Sequence, residues 1–408
     1  MVAERLMERA ARELGIDPVQ IRRRNLITEF PYRGVNGITY DPGSYRESLD
    51  LCERVLREEG WPGHREPGRI VGIGYSCFSE RTGYGSGAFA QRRMQVVPGF
   101  DLSQVTMDTG GAVSVTTGTL SHGQSHETTF AQIVADRLGL PYDKVTIVQG
   151  DTDRITYGWG SFASRSVTIG GSAAAGAATK LGETLRAIAA HLSGTDVDSA
   201  VLDGAGGVRA GDRTYPFAEL AEVAYLRAHL LPKDVGPGLT ATASFDVAGD
   251  GTFSNASHGC VVALDPGTGG VEILRYVCVE DCGVAIHPRV VEGQARGGIA
   301  QGIAGALFEQ VVYDELGQPL APSFMEYKVP TAAEIPDVRI EHLETPCAFT
   351  ANGAKGAGEG GTIGAPAAVL NAVNDALRHT GVELDATPIP RHAIHAALAA
   401  APTREEAP

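Results

Sequence analysis

The spacing of apolar residues along the chain predicts several helices. Apolar side chains recur three or four positions apart over residues 2–14, with arginines on the other side, as in an amphipathic helix. The same period recurs over residues 45–56, 130–138 and 369–377. Serine, proline and glycine near the ends of these segments are typical helix start and stop signals, and residues 44–47 (SYRE) predict a capping box at the start of the second helix.

Strand patterns lie between the predicted helices. Apolar residues alternate with small or polar ones over 71–75, and short apolar runs follow at 113–115 and 145–148. Two further runs, joined by the turn-rich segment 265–270, predict a hairpin over residues 261–279. Since helices and strands are interspersed in this way, we expect an α+β fold of mixed sheets with packed helices.

A polar segment with two prolines, residues 61–69, is the predicted domain boundary. We therefore divide the chain into a first unit, 1–66, and a second unit, 67–402. The helix at 2–14 has an apolar face with no partner before it, which predicts a further segment upstream.

Composition narrows the classes of function. The 408 residues carry a net charge of −15, which argues against nucleic acid as a partner. No apolar run approaches about 18 residues and no signal peptide is evident, so neither a membrane span nor secretion is expected. Six cysteines without a C-x-x-C pair predict neither a disulfide framework nor a zinc module. We therefore expect a protein of the reducing cytoplasm.

The most unusual stretch is the glycine-rich loop GAKGAGEGGTIGAP, residues 353–366. Its small residues surround one lysine, Lys355, and one carboxylate, Glu359. Pro366 is suited to the first turn of the helix that follows, whose free N–H groups would favour an anion. A tight turn with a solvated glutamate is the alternative interpretation.

Two other loops lead into helices in a similar way. Gln124, Ser125, His126 and Thr128 cluster at the start of one predicted helix, where N-capping is the alternative role. Gln294 lies near the start of another. An anionic ligand held from several sides by helix starts would explain all three junctions.

Two motifs that would predict a zinc site or a dinucleotide-binding site are weak. His122 and His126 stand four residues apart, but no third metal ligand is evident and the H-E-x-x-H motif is absent. The glycines at 356–361 match the dinucleotide fingerprint G-x-G-x-x-G, which requires a strand directly before it. The nearest strand-like run, 338–343, lies well upstream.

Four stretches together resemble the molybdenum-binding large subunit of the xanthine dehydrogenase, aldehyde oxidase and aerobic carbon monoxide dehydrogenase family. They are GQSHETTFAQIVADRLGLP, GDTDRITYGWGSFASRS, EDCGVAIHPRVVEGQARGGIAQGIAGALFE and GAKGAGEGGTIGAPAAVLNAV. Their order and spacing are specific, although each alone is only moderately so. The chain also begins like that family, with ERLMERAARELGIDPVQIRRRNLI, but at a point deep inside the family's subunit.

The resemblance implies a molybdopterin cofactor, as the cytosine dinucleotide, with molybdenum held by the pterin dithiolene and not by side chains. It transfers the family's cofactor contacts to Gln124, Ser164, Ser166, Gln294 and Lys355, and its catalytic glutamate to Glu359. The rest of the predicted cofactor-binding set comprises the neighbouring Ser125, His126, Thr128, Arg165, Gly356, Ala357 and Gly358. Residues 1–66 would be the tail of a first molybdopterin-binding domain and 67–402 the second.

The implied reaction is oxidative hydroxylation of an electron-poor carbon in an aldehyde, N-heterocycle or carbon monoxide, with oxygen from water. A carboxylate near the metal would serve as general base. The chain has no cysteine spacing for a [2Fe–2S] cluster, so electrons would pass to an iron–sulfur small subunit and an FAD medium subunit. An upstream N-terminal half of the same subunit would be a further partner.

Two positions depart from the family. Ser125 stands where glycine is usual, and His287 replaces the asparagine before Pro288. The alternatives to a catalytic portion are a non-catalytic remnant or complementing half that acts through a partner, and a nicotinamide dehydrogenase based on the glycine match alone.

Overall fold

The computed structural model describes residues 1–400 and confirms the α+β class. Its helices are α1 (Val2–Leu14), α2 (Pro18–Asn25), α3 (Tyr45–Glu58), α4 (Ser86–Gln91), α5 (His126–Leu138), α6 (Gly171–Ser193), α7 (Phe217–Leu226), α8 (Pro288–Leu307), α9 (Gly360–Ala376) and α10 (Arg391–Ala399). Its strands are β1 (Tyr32–Arg33), β2 (Thr39–Tyr40), β3 (Ile70–Thr82), β4 (Asp101–Met107), β5 (Val113–Thr117), β6 (Val145–Val148), β7 (Val201–Leu202), β8 (Gly207–Ala210), β9 (Arg213–Pro216), β10 (Thr240–Phe245), β11 (Thr252–Leu264), β12 (Val271–Asp281) and β13 (Val338–Leu343). Within residues 1–400, none of these helices is long and apolar enough to span a bilayer.

One four-stranded sheet has the order β13-β12-β11-β3 and is covered by helices on both faces. Strand β11 lies at its centre, antiparallel to β3 and β12, and is buried along its whole length. Helices α8, α9 and α10 share one core with this sheet, and α2 and α3 share another. Cys52 and Cys278 are buried in these cores. The predicted boundary near residue 66 stays a prediction.

A second sheet, β10-β4-β5-β6, packs against α5 and α6. The buried side of α6 is rich in alanine, including Ala174, Ala177 and Ala178, which lets the helix approach the sheet closely. The small sheet β7-β8-β9 and helix α7 extend the same core. Loops that leave both sheets therefore meet between the two cores.

Helix α9 begins earlier than the sequence predicts. It starts at Gly360, so the prediction that Pro366 occupies its first turn is wrong, and the proline lies inside the helix. The reason is tertiary packing, since a Cβ atom on Gly361 would overlap the backbone of α8 and one on Gly298 would lie 2.9 Å from the Thr362 nitrogen. Close contact between two glycine-rich helix faces stabilises the additional turn before the proline.

The cap of α3 also differs from its prediction. Ser44 is its N-cap residue, but the hydroxyl does not bond to the helix and donates instead to Asp281 Oδ2 at 2.5 Å. The predicted capping box is therefore wrong, because a buried carboxylate from the end of β12 competes for the same hydroxyl.

Helix α1 turns its charged side inward and its apolar side outward. Arg5 and Glu8 are buried, and Glu8 pairs with the buried Arg22 at 3.1 Å. Leu6 and Leu14 are 60% and 66% exposed. The apolar face predicted to lack a partner is thus uncovered within the described residues.

Candidate functional site

The loops that lead into α5, α6, α8 and α9 converge on one cavity of about 380 Å³. Nine of the residues selected from the sequence line it: Gln124, His126, Ser164, Ser166, Gln294, Lys355, Ala357, Gly358 and Glu359. The sheet order, which is not evident from sequence, brings together loops that are more than two hundred residues apart in the chain.

The other four selected residues lie outside the cavity lining: Ser125, Thr128, Arg165 and Gly356. Arg165 is fully buried and donates to Asp101 Oδ2 at 3.2 Å and to Phe100 O at 3.0 Å. The Gly356 N–H donates to Thr82 Oγ1 at 3.1 Å. These three hydrogen bonds hold the cavity loops to the sheets; direct contact of the four residues with a cofactor stays a prediction.

Ser125, at the position where the resemblance leads us to expect glycine, adopts a left-handed backbone with φ +59. Glycine enters this region without strain, whereas a serine there is uncommon. The substitution therefore affects the backbone of the turn before α5 and adds no side chain to the cavity wall.

Lys355 lines the cavity, but its ammonium group is already engaged by protein oxygens. Its Nζ lies 3.2 Å from Asp41 Oδ2, donates to Phe253 O at 3.0 Å and also donates to Pro42 O. Burial raises the pKa of the Asp41 carboxyl, and the Lys355 charge opposes that rise. Since the ammonium faces away from the loop, a cofactor contact from Lys355 in this conformation would come from other atoms of the residue.

Glu359 is exposed at the cavity and forms the N-cap of α9. Its backbone N–H donates to Ser164 Oγ at 3.1 Å. Ser164 and its neighbour Ala163 have φ values of +52 and +49, a strained left-handed region for residues with side chains. The contact between the two loops thus holds Ser164 in an uncommon conformation beside the carboxylate.

Glu80, on β3, is a functional candidate that the sequence analysis missed. It accepts a hydrogen bond from Ser164 Oγ at 2.5 Å and is 8% exposed. Its pKa is raised to about 7, mainly by burial and also by the negative charge of Glu359, while the Ser164 hydroxyl acts in the opposite direction. The available signal was the single carboxylate of β3, which stands near the end of the strand.

His126 and the starts of several helices form another part of the cavity lining. His126 is buried, stacks on Phe130 with ring centroids 5.0 Å apart, and its Nδ1 has no hydrogen-bond partner in the described residues. Burial lowers the pKa of His126 to about 4, so the ring is neutral near pH 7. The first turns of α5 and α8 and the N-cap residue of α9, Glu359, line the cavity, and helix N-termini attract anions.

These residues fit the molybdopterin-type cofactor that the sequence resemblance implies. Gly356 packs so closely on the Ser164 backbone that a Cβ atom there would overlap the carbonyl oxygen. The helix starts suit a pyrophosphate, and the unpartnered Nδ1 of His126 offers a further polar contact. By contrast, β13 ends at Leu343 and a loop separates it from Gly356, so the context required for a dinucleotide fingerprint is absent from this part of the described chain.

Comparison with known proteins gives one family match and several relatives. Residues 46–336 match the model of the molybdopterin cofactor-binding domain. The chain is 40% identical over 399 residues to the nicotine 6-hydroxylase large subunit of Paenarthrobacter nicotinovorans, covering 95% of this chain and 48% of that protein. It is 33% identical over 391 residues to the carbon monoxide dehydrogenase large chain of Hydrogenophaga pseudoflava, covering 93% and 48%.

Among solved structures, quinoline 2-oxidoreductase from Pseudomonas putida 86 superposes with a TM-score of 0.91 at 38% identity. The match covers 98% of this chain and 52% of that one. The chain therefore spans about half the length of the curated relatives that it matches.

Proposed function

Since this chain belongs to the molybdopterin cofactor-binding family of molybdenum hydroxylase large subunits, we propose that it forms the part of such an enzyme that carries the catalytic base. The observation that supports this most directly is the position of Glu359. Its carboxylate lies at the cavity on which the starts of α5, α8 and α9 converge. A base must lie within hydrogen-bond reach of the proton that it removes, and an exposed carboxylate at the cavity wall is free to do so.

The proposed reaction converts R–H and water into R–OH, two protons and two electrons. When bound, the molybdopterin cofactor supplies the two-electron oxidation and delivers oxygen from water. Glu359 accepts one proton at its carboxylate, while Ser164 holds the backbone of that residue in place. Gln124 and Gln294 orient the cofactor, as the cytosine dinucleotide, at the helix starts. The electrons pass to iron–sulfur and FAD subunits.

Of the three substrate classes, we propose an aromatic N-heterocycle. The nicotine and quinoline enzymes are more similar to this chain, at 40% and 38% identity, than the carbon monoxide dehydrogenase at 33%. The cavity also has an aromatic wall, Phe162, whose ring centroid lies 6.3 Å from that of Phe89. A planar heterocycle can stack on such a surface, whereas carbon monoxide gains little from it.

The remaining half of the large subunit is the proposed partner for the exposed apolar surfaces. Besides the outer face of α1, the segment between α8 and β13 exposes Leu316, Phe324 and Met325 by 90% or more. Apolar surface of this kind normally marks a protein interface. We propose that the remaining half covers both surfaces and supplies the other walls of the cofactor site.

The test combines metal analysis with activity. The 408-residue chain is purified alone, and also with the complementary half of the large subunit of the P. nicotinovorans relative together with its partner subunits. We expect stoichiometric molybdenum and oxidation of an N-heterocycle such as quinoline only in the combined sample. A combined sample that folds but holds no molybdenum would refute the proposed function. A chain that is loaded and active alone would refute the half-subunit proposal.

A further inference from the structure

The buried carboxyl group of Glu80 is linked through the Ser164 hydroxyl to the backbone of Glu359, the proposed base. Ser164 Oγ donates to Glu80 Oε1 at 2.5 Å and accepts from the Glu359 N–H at 3.1 Å. The serine hydroxyl thus bridges strand β3 and the start of α9, two elements that belong to the same packed core. Neither the resemblance nor the comparisons assign a role to Glu80.

The surroundings of Glu80 favour a neutral side chain. Within residues 1–400, no arginine, lysine or histidine forms an ion pair with it. Two cations on the adjoining segments are paired with other carboxylates: Arg81 pairs with Asp250 at 3.1 Å, and Lys355 pairs with Asp41. A buried carboxylate without a cation is costly, and such a group retains its proton instead.

The remaining groups around Glu80 are negative or uncharged. Glu359 acts on it from the loop before α9, and its charge disfavours a second carboxylate nearby. Ser254 lies directly opposite on β11, and the Ser254 hydroxyl and Glu80 Oε2 are both buried without a hydrogen-bond partner in the described residues. Burial raises the pKa of Glu80, and the Ser254 hydroxyl lowers it by a smaller amount.

We propose that Glu80 is a positioning residue of this site, which as a neutral acid holds the Ser164 hydroxyl and, through it, the backbone of Glu359. The inference rests on the proposed role of Glu359 as the base. Ionisation of Glu80 places a second negative charge beside Glu359, and the repulsion between the two carboxylates displaces the base. Because Ala163 and Ser164 are held in a left-handed conformation, loss of this anchor lets the loop relax away from the cavity.

The first test needs no cofactor. Infrared difference spectra between the 408-residue chain and its Glu80→Gln variant are recorded from about pH 5 to pH 9. We expect a protonated carboxyl band that disappears with a midpoint near pH 7. The matched control is Glu53→Gln, because Glu53 is paired with Arg23 at 2.8 Å and its pKa is lowered, so that its difference spectrum should show carboxylate throughout. A Glu80 spectrum that shows only carboxylate at pH 6 would overturn the inference.

The second test uses the molybdenum-loaded complex. In the pH profile of the wild type, kcat should fall by about tenfold for each pH unit above the pKa of Glu80. The profile of Glu80→Gln should lack this alkaline limb. If Glu80→Gln fails to fold, Glu80→Asp replaces it and should keep the limb with a lower kcat, since the shorter acid reaches Ser164 poorly. A Glu80→Gln profile identical to wild type would contradict the inference.

The two tests also separate this inference from the proposed function. A Glu359→Gln complex that retains full turnover would reject the proposed base while leaving the infrared titration of Glu80 intact. An inactive Glu359→Gln complex together with no neutral Glu80 would reject only the inference.

Discussion

Replacing Lys355 by methionine separates a structural role of this lysine from a cofactor-binding role. The change keeps the length of the side chain but removes the ammonium group from three buried oxygen partners, including Asp41 Oδ2 at 3.2 Å. Removing one member of a buried ion pair typically costs about 3–5 kcal/mol, because the other charge remains buried without compensation. We therefore expect Lys355→Met to lower the free energy of unfolding of the cofactor-free chain by about that amount.

The loss should depend on pH. In the variant, only burial and the remaining hydrogen bonds act on Asp41, so its folded pKa rises above the unfolded value more than in the wild type. Stability of the variant then falls as pH rises from the unfolded pKa through the folded pKa. The deficit should therefore be larger near pH 8 than near pH 5.

Urea unfolding of the cofactor-free chain, followed by circular dichroism, measures this loss. The double variant Lys355→Met/Asp41→Asn should recover much of it, since no uncompensated charge remains. Lys180→Met is the matched control, because this lysine is exposed and donates only to Thr242 O, so its effect should stay within about 0.5 kcal/mol. Equal unfolding midpoints for Lys355→Met and wild type would refute the structural role.

Two further predictions concern the cofactor walls and the core beneath them. Gln294→Ala should lower molybdenum occupancy of the complex with no change in its unfolding midpoint; unchanged metal content by elemental analysis would count against this. Gly364→Ala places a Cβ 2.7 Å from the buried His258 ring and should destabilise the chain by about 1–3 kcal/mol, measured by urea unfolding. Gly305→Ala, on the open side of α8, is its control and should not destabilise it.

The sequence was sufficient for features that depend on local pattern. Helix α5 and the core side of α3 follow the 3.6-residue period, and the hairpin of β11 and β12 follows from two apolar runs around a turn. The sequence analysis expected the junctions near Gln124, Gln294 and Glu359 to hold one anionic ligand. These three residues line one cavity, although Gln294 lies within α8 and not in a loop before it. Their contact with a ligand stays a prediction.

Features that depend on pairing between distant segments could not be predicted in this way. Glu80 and Asp41 become relevant only when β3 and the loop before α3 meet the glycine-rich loop. The start of α9 at Gly360 depends on contact with α8, which local proline rules ignore. The family resemblance assigned Lys355 to the cofactor, yet its buried carboxylate partner lies more than three hundred positions away.

The most direct test of the account is Glu359→Gln in the molybdenum-loaded complex. Glutamine keeps the size of the side chain and the backbone N–H to Ser164, but it cannot accept the proton. We predict full molybdenum content and a turnover of N-heterocycle at least about a hundredfold below wild type, the usual scale for loss of a general base. Near wild-type turnover with full molybdenum occupancy would contradict the assignment of Glu359 as the base.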